Sequence, residues 1–103
     1  MTLDEYQQIS LKGLAIKDKS LAALAHRSLG LSGEAGTLAN HIKKIIRDNN
    51  GNLTDTDRQI IKEKLGDTFY YLVALADFAG ISLEEILQAN AEKTRKFIEA
   101  NGL

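Results

Sequence analysis

The sequence contains no cysteine and no proline among its 103 residues. Without cysteine, the chain can have no disulfide scaffold, no thiolate zinc site and no cysteine nucleophile. Sheets and irregular loops usually contain some proline, whereas a chain of long helices does not need it. Together the two absences favour long helices without covalent cross-links.

Neither sign of charge dominates, and no long apolar run is present. Lys and Arg number 13 against 14 Asp and Glu, so the net charge of −1 gives no drive toward nucleic acid or an anionic membrane. The longest apolar run, residues 69–76, is far shorter than the ~20 residues that span a bilayer. The first ten residues resemble no secretory signal. We therefore expect a cytoplasmic protein with no nucleic-acid and no membrane partner.

The length and the apolar periodicity predict one all-α domain over residues 1–103. Hydrophobic residues make up 44% of the chain and charged residues 26%, which is ordinary for a globular domain. No alternation of period two indicates a strand. The predicted helices are a short one after Thr2 that reaches residues 13–16, one over 20–48 capped by Ser20 or Asp18, one from Thr54 or Asp55 to Gly80, and one from Ser82 to 101–102.

The third predicted helix is apolar on two opposite sides. A helical wheel at about 100° per residue gives one stripe of Ile61, Leu65, Phe69, Leu72, Ala76 and Ala79, and a second of Ile60, Tyr70, Ala74 and Phe78. Three other helices, one of them short, can hardly cover both sides. We therefore expect a four-helix bundle that is completed by oligomerisation, with this helix at the interface.

The second predicted helix carries a carboxylate beside its apolar stripe. Glu34 flanks the stripe, and His41 falls on nearly the same line seven residues later. Gly30, Gly33 and Gly36 recur every third residue, although glycine costs about 1 kcal/mol in a helix interior. This spacing fits a close helix–helix approach, a break in the helix, or room for a ligand beside Glu34.

Two polar residues fall on apolar surfaces of the later helices. Asp67 follows Glu63 by one turn and precedes the apolar run. A buried carboxylate needs a cation, a metal or several donors, so either an ion pair with Lys64 or a ligand site accounts for it. Asn90 falls in the apolar stripe of the fourth helix, where its amide needs hydrogen-bond partners and either bridges helices or meets a ligand.

Three strings, taken in order, resemble the signatures of the MazG-like nucleotide pyrophosphohydrolases. Each string is weak evidence alone, and the three in sequence over roughly residues 20–97 are specific. The strings are LGLSGEAGTLANHIKK at 29–44, which contains Glu34; EKLGDTFYYL at 63–72, which contains Asp67; and GISLEEILQANAEKTRK at 80–96, which contains Asn90 and Lys93.

The resemblance implies a metal-dependent enzyme that works as a homodimer or a dimer of dimers. Members hydrolyse nucleoside triphosphates to the monophosphate and pyrophosphate, often to clean the nucleotide pool. The implied cofactor is Mg²⁺ or Mn²⁺, held by oxygen ligands. The implied catalytic and metal-binding residues are Glu34 and Asp67, and the implied substrate contacts are Lys44, Asn90, Lys93, Lys43 and Tyr71.

The sequence departs from the family pattern at two of four carboxylate positions. Where the pattern has Glu-x-x-Glu, Glu34 is followed by Thr37, and where it has Glu-x-x-Asp, Lys64 precedes Asp67. Glu63 shares a helix face with Asp67 and is the candidate replacement metal ligand. We therefore expect Mg²⁺ to bind weakly or not at all, with low turnover unless Glu63 replaces a ligand.

Two functions follow from these residues. The first is a nucleoside triphosphate pyrophosphohydrolase with an incomplete carboxylate set. The alternative is a non-catalytic relative that binds nucleotide without metal or serves as an interaction module. In that alternative, the ammonium group of Lys64 lies between Glu34 and Asp67 in place of the missing cation.

Overall fold

The computed structural model describes residues 1–103 and contains four α-helices and no strand. The helices are α1 (Leu3–Lys12), α2 (Leu21–Asn49), α3 (Asp55–Ala79) and α4 (Leu83–Ala100). The all-α prediction is confirmed, and only the first helix differs clearly from its expected extent, because residues 13–16 lie outside it. None of the helices combines the length and the apolar character needed to cross a membrane.

Side-chain caps explain where the helices begin and left-handed residues explain where two of them end. The hydroxyls of Thr2, Ser20, Thr54 and Ser82 each accept a hydrogen bond of 3.1 Å from the backbone N–H three residues later. Only at Thr54 is the capping box reciprocal, with Asp57 accepting from the Thr54 N–H at 2.9 Å. Asn50 and Gly80, with φ of 53° and 71°, stop α2 and α3.

Helices α2 and α3 pack antiparallel and form the main body of the molecule. Positions farther along α2 meet positions earlier on α3, as the pairing of Arg27 with Asp77 and of His41 with Asp57 shows. The core at the end of α3 consists of Val73, Ala76 and the α4 residue Leu83. Partly buried apolar side chains from α1, α3 and α4 cover it: Tyr6, Phe69, Leu72 and Ile86.

The single chain has an open shape and a small core. Its Cα radius of gyration is 16.5 Å, whereas a compact domain of this length has about 13 Å. Helix α4 accounts for much of the difference, because Leu83 is buried but every residue from 92 to 100 is exposed. Its apolar side chains Leu87, Phe97 and Ile98 are 48%, 60% and 40% exposed. The four-helix bundle is therefore incomplete within one chain.

The second apolar side of α3 is partly covered inside the chain, and its place at an interface with a second copy stays a prediction. Ala74 is buried, and the Phe78 ring lies beneath the cations of Lys19 and Arg27, at 5.5 and 5.7 Å from the ring centroid. These two cations come from the segment before α2 and from α2 itself. A connecting segment and long basic side chains therefore cover apolar surface that a count of helices leaves out.

Arg27 ties three parts of the chain together. Its side chain is 1% exposed, and Nη1 donates to the Ala74 carbonyl at 2.7 Å and to Asp77 Oδ2 at 3.1 Å. Nη2 donates to the Ile16 carbonyl at 3.4 Å, and Lys19 Nζ donates to Asp77 Oδ2 at 3.1 Å. Burial raises the pKa of Asp77, but the hydrogen bonds from Lys19 and Arg27 outweigh it, so the pKa lies below its usual value. The stabilisation that ionised Asp77 gives the fold through Lys19 and Arg27 is therefore complete at neutral pH, and it is lost as the pH falls through the lowered pKa of Asp77.

We expect Arg27→Met to lower the free energy of unfolding by about 2 kcal/mol, because the buried Ala74 carbonyl loses its side-chain donor and Asp77 loses a cation. Urea unfolding followed by circular dichroism measures the change. The matched control is Arg47→Met, since Arg47 is exposed and pairs only with its neighbour Asp48, and its unfolding midpoint should not move. Equal losses in the two variants would contradict the assignment.

Candidate functional site

A cavity of about 300 Å³ lies between α2 and α3 and is lined by Glu34, Asp67, Tyr70 and Tyr71. Glu34 comes from α2 and the other three side chains come from α3. The structure thus brings both predicted catalytic carboxylates and the predicted substrate contact Tyr71 to one opening. Tyr70 was expected on an apolar side of α3, with no role at the site. Its position one turn after Asp67 was the signal that it shares this face.

The ammonium group of Lys64 lies between the two carboxylates. Lys64 Nζ is 3.8 Å from Glu34 Oε2 and 3.8 Å from Asp67 Oδ2. Both distances are too long for a direct hydrogen bond, so the attraction is between charges. The three side chains are 27%, 30% and 45% exposed, and an ion pair exposed to this degree contributes about 0.2–1 kcal/mol. The atom Glu34 Oε2 is itself buried and accepts no hydrogen bond.

Tyr6 of α1 lies near the cavity but is not part of its lining. Its ring packs on Phe69 at a centroid distance of 5.3 Å. Burial, and then the negative charge of Asp67, raise the pKa of the Tyr6 hydroxyl. Burial is also the main cause that raises the pKa of Tyr70. Both phenols therefore remain protonated at neutral pH and can donate hydrogen bonds.

The ring of Tyr71 rests directly on the backbone of α2 at Gly30. A Cβ atom at Gly30 would lie 2.4 Å from Cε1 of Tyr71, whereas one at Gly33 or Gly36 would meet no atom within 4 Å. Helix α2 is continuous over all three glycines, so the interpretation as a helix break is wrong. A close helix–helix approach accounts for Gly30, while Gly33 and Gly36 face open space.

Three other candidate residues lie outside the cavity lining. The hydroxyl of Thr37 donates to the Gly33 carbonyl of its own helix at 2.9 Å. Glu63 is exposed, and the structure does not bring it to the cavity with Glu34 and Asp67. His41 Nε2 lies 3.2 Å from Asp57 Oδ1, so His41 links α2 to the start of α3.

The predicted phosphate contacts are exposed and make no side-chain contact that places them at the cavity. Lys43 and Lys44 lie on α2, and Asn90 and Lys93 lie on α4. Asn90 was expected on an apolar stripe, but it is exposed, as is every residue from 92 to 100. Their roles as substrate contacts stay predictions.

The donor set does not fit a resident divalent metal ion. Mg²⁺ binds through one or two carboxylates where waters and substrate phosphates complete its octahedral oxygen shell, and the cavity by itself offers only the carboxylates of Glu34 and Asp67. No group of three or more His, Asp or Glu side chains converges in the chain. The ammonium group of Lys64 holds positive charge 3.8 Å from both carboxylates, where an ion bridging them would be repelled.

We expect Gly30→Ala to destabilise the protein by about 1–3 kcal/mol, because the new methyl group must push the Tyr71 ring away from α2. The matched control is Gly33→Ala on the same helix, which meets no atom and should instead stabilise the helix by about 0.5–1 kcal/mol. Thermal unfolding of the two variants measures both effects. If both substitutions stabilise, Gly30 and Tyr71 are not in contact.

Comparison with known proteins identifies the family of this chain. Residues 24–97 match the MazG nucleotide pyrophosphohydrolase domain. The chain is also similar to the Gene 37 protein of Mycobacterium phage L5, with 38% identity over 74 residues that cover 72% of this chain and 65% of that relative. The chain thus spans a little under two thirds of the relative's length. No solved structure matches significantly. The chain belongs to the MazG nucleotide pyrophosphohydrolase domain family.

Proposed function

We propose that this chain binds a nucleoside triphosphate at the Glu34–Asp67 cavity and hydrolyses it to the monophosphate and pyrophosphate. One observation carries the proposal: in a chain of this family, a carboxylate from α2 and one from α3 line the same cavity beside two tyrosines. Its volume of about 300 Å³ is at the lower end for small-molecule sites. The cavity therefore suits part of a nucleotide, with the remainder outside.

The proposed chemistry uses the chain's own residues. The oxygen of a water molecule bonds to the α-phosphorus. The bond from that phosphorus to the oxygen shared with the β-phosphate breaks, and pyrophosphate leaves. Glu34 or Asp67 accepts the proton of the water as general base. Lys64 provides positive charge beside that base. Lys43, Lys44, Asn90, Lys93 and Tyr71 are the proposed substrate contacts, the lysines acting as point charges toward phosphate oxygens.

One observation favours a second function. Lys64 lies 3.8 Å from both carboxylates, so its positive charge already compensates part of their negative charge. A chain in which this pairing persists binds nucleotide without turnover and acts as a binding or interaction module. A role in cleaning the nucleotide pool belongs to the first function alone.

We expect slow pyrophosphate release from at least one nucleoside triphosphate in a panel, and a rate about 100-fold lower for Asp67→Asn, which removes a general base. The matched control is Asp55→Asn on the same helix, because Asp55 is exposed at the start of α3, about 18 Å along the axis from Asp67. Asp55→Asn should release pyrophosphate at the original rate.

Binding is measured separately by thermal unfolding. Nucleotide at about 100 times its dissociation constant should stabilise the protein by about 2.7 kcal/mol. Stabilisation without pyrophosphate release supports the second function. If no nucleotide stabilises the protein and none releases pyrophosphate, both nucleotide-dependent functions are contradicted.

We also propose that the chain assembles as a homodimer or a dimer of dimers, with a second copy covering apolar surface that α4 leaves open. Another cavity, of about 310 Å³, supports the assembly, because its lining is entirely hydrophobic. The lining includes Leu31 of α2, Leu72 of α3 and Ile86 of α4. The extended shape and the exposed Phe97 also indicate that one chain does not bury enough apolar surface.

Light scattering at micromolar concentration should give at least twice the mass of one chain. We expect Leu87→Glu to shift the protein toward monomer, because an unpaired charge would enter the interface. The neighbouring change Gln88→Glu introduces the same side chain at an exposed polar position and serves as the control. A monomeric unmodified protein would contradict the assembly.

A further inference from the structure

We propose that the ammonium group of Lys64 is the permanent cation of the Glu34–Asp67 cavity, in the position where a divalent ion would otherwise bridge the two carboxylates. The chain then binds its ligand without a metal ion. The ligand part of this inference rests on the proposed nucleotide site. The cation part does not, and its central test needs no nucleotide.

The position of Lys64 is the first argument. Lys64 lies one turn before Asp67 on α3, and its side chain reaches across the helix pair to Glu34 on α2. Nζ is equidistant from the two carboxylates at 3.8 Å. Its side chain is 27% exposed, compared with 55% for Lys19, which also pairs with a carboxylate. Lys64 therefore lies beside both carboxylates and is less exposed than Lys19, although its side chain is not part of the cavity lining.

The state of Glu34 is the second argument. Its Oε2 atom is buried and accepts no hydrogen bond, so the nearby ammonium group is the positive charge that compensates it. A buried carboxylate without hydrogen bonds or a counter-charge is costly and draws in either a proton or a cation. Removal of the ammonium group should therefore leave a vacancy that a cation from solution fills.

The remaining donors are the third argument. The hydroxyl of Thr37 donates to the Gly33 carbonyl, and Glu63 is exposed outside the cavity. Neither residue adds an anionic ligand beside Glu34 and Asp67. The formal charge of Glu34, Asp67 and Lys64 together is −1, whereas a glutamate at position 64 would make it −3. Cation affinity in oxygen sites rises with the number of charged ligands.

The test is a calorimetric titration of Mn²⁺ and of Mg²⁺ into nucleotide-free protein. The unmodified chain should show no saturable binding up to about 10 mM, and Lys64→Glu should bind Mn²⁺ about 100-fold more tightly. Lys64→Gln keeps the length of the side chain, removes only its charge, and should show an intermediate gain. The matched control is Lys62→Glu, because Lys62 is exposed two residues away on the same helix and its change in charge is identical.

Each outcome decides the proposal. Metal binding gained at position 64 and not at 62 supports it. Micromolar Mn²⁺ binding by the unmodified chain overturns it, and so does an equal gain from Lys62→Glu, which would reflect general electrostatics. If Lys64→Glu does not fold, the absence of any gain in Lys64→Gln overturns it. Nucleotide affinity that falls more than about tenfold in EDTA overturns the metal-independent part, whereas no nucleotide binding in any buffer contradicts only the proposed function.

Discussion

The buried guanidinium of Arg27 sets the relation between the two long helices. It donates to the Ala74 carbonyl and to Asp77, so one position of α2 is held against the last turns of α3. Two antiparallel helices with one fixed contact have a fixed register along their length. One turn farther along α2, Gly30 receives the Tyr71 ring, and one turn beyond that Glu34 faces Lys64 and Asp67. The geometry of the candidate site therefore depends on an interaction that lies outside it.

The cavity combines features that oppose one another. Two carboxylates and two phenols suit a polar ligand, yet Lys64 already compensates part of the negative charge. In a site built of carboxylates, a metal ion offsets repulsion between ligands. Here an ammonium group on a flexible stem has that position, and it is less demanding in geometry than Mg²⁺.

The open shape has a separate physical origin. Helix α4 is anchored by Leu83 and then extends with apolar side chains on its surface, so the buried apolar area per residue is small. A domain of about 100 residues needs most of its apolar side chains covered to offset the conformational entropy of folding. The surface that α4 leaves open carries hydrophobic side chains, as does the lining of the apolar cavity beside Leu72 and Ile86.

Local chemistry determined what the sequence alone revealed. Thr2, Thr54 and Ser82 cap helices because a hydroxyl satisfies the first backbone N–H groups wherever the helix packs. The signature strings likewise identified Glu34 and Asp67, which the structure brings to one cavity.

Tertiary packing decided the rest. Nothing in the residues around Arg27 distinguishes it from the exposed Arg47, because burial depends on what arrives from other parts of the chain. For the same reason, Asn90 is exposed despite its place in an apolar stripe, and Ala74 is buried where its carbonyl accepts from Arg27. The sequence raised a position of the Lys64 ammonium group between Glu34 and Asp67 only as one alternative. The spacing between α2 and α3 decided it, because periodicity along one helix does not specify that spacing.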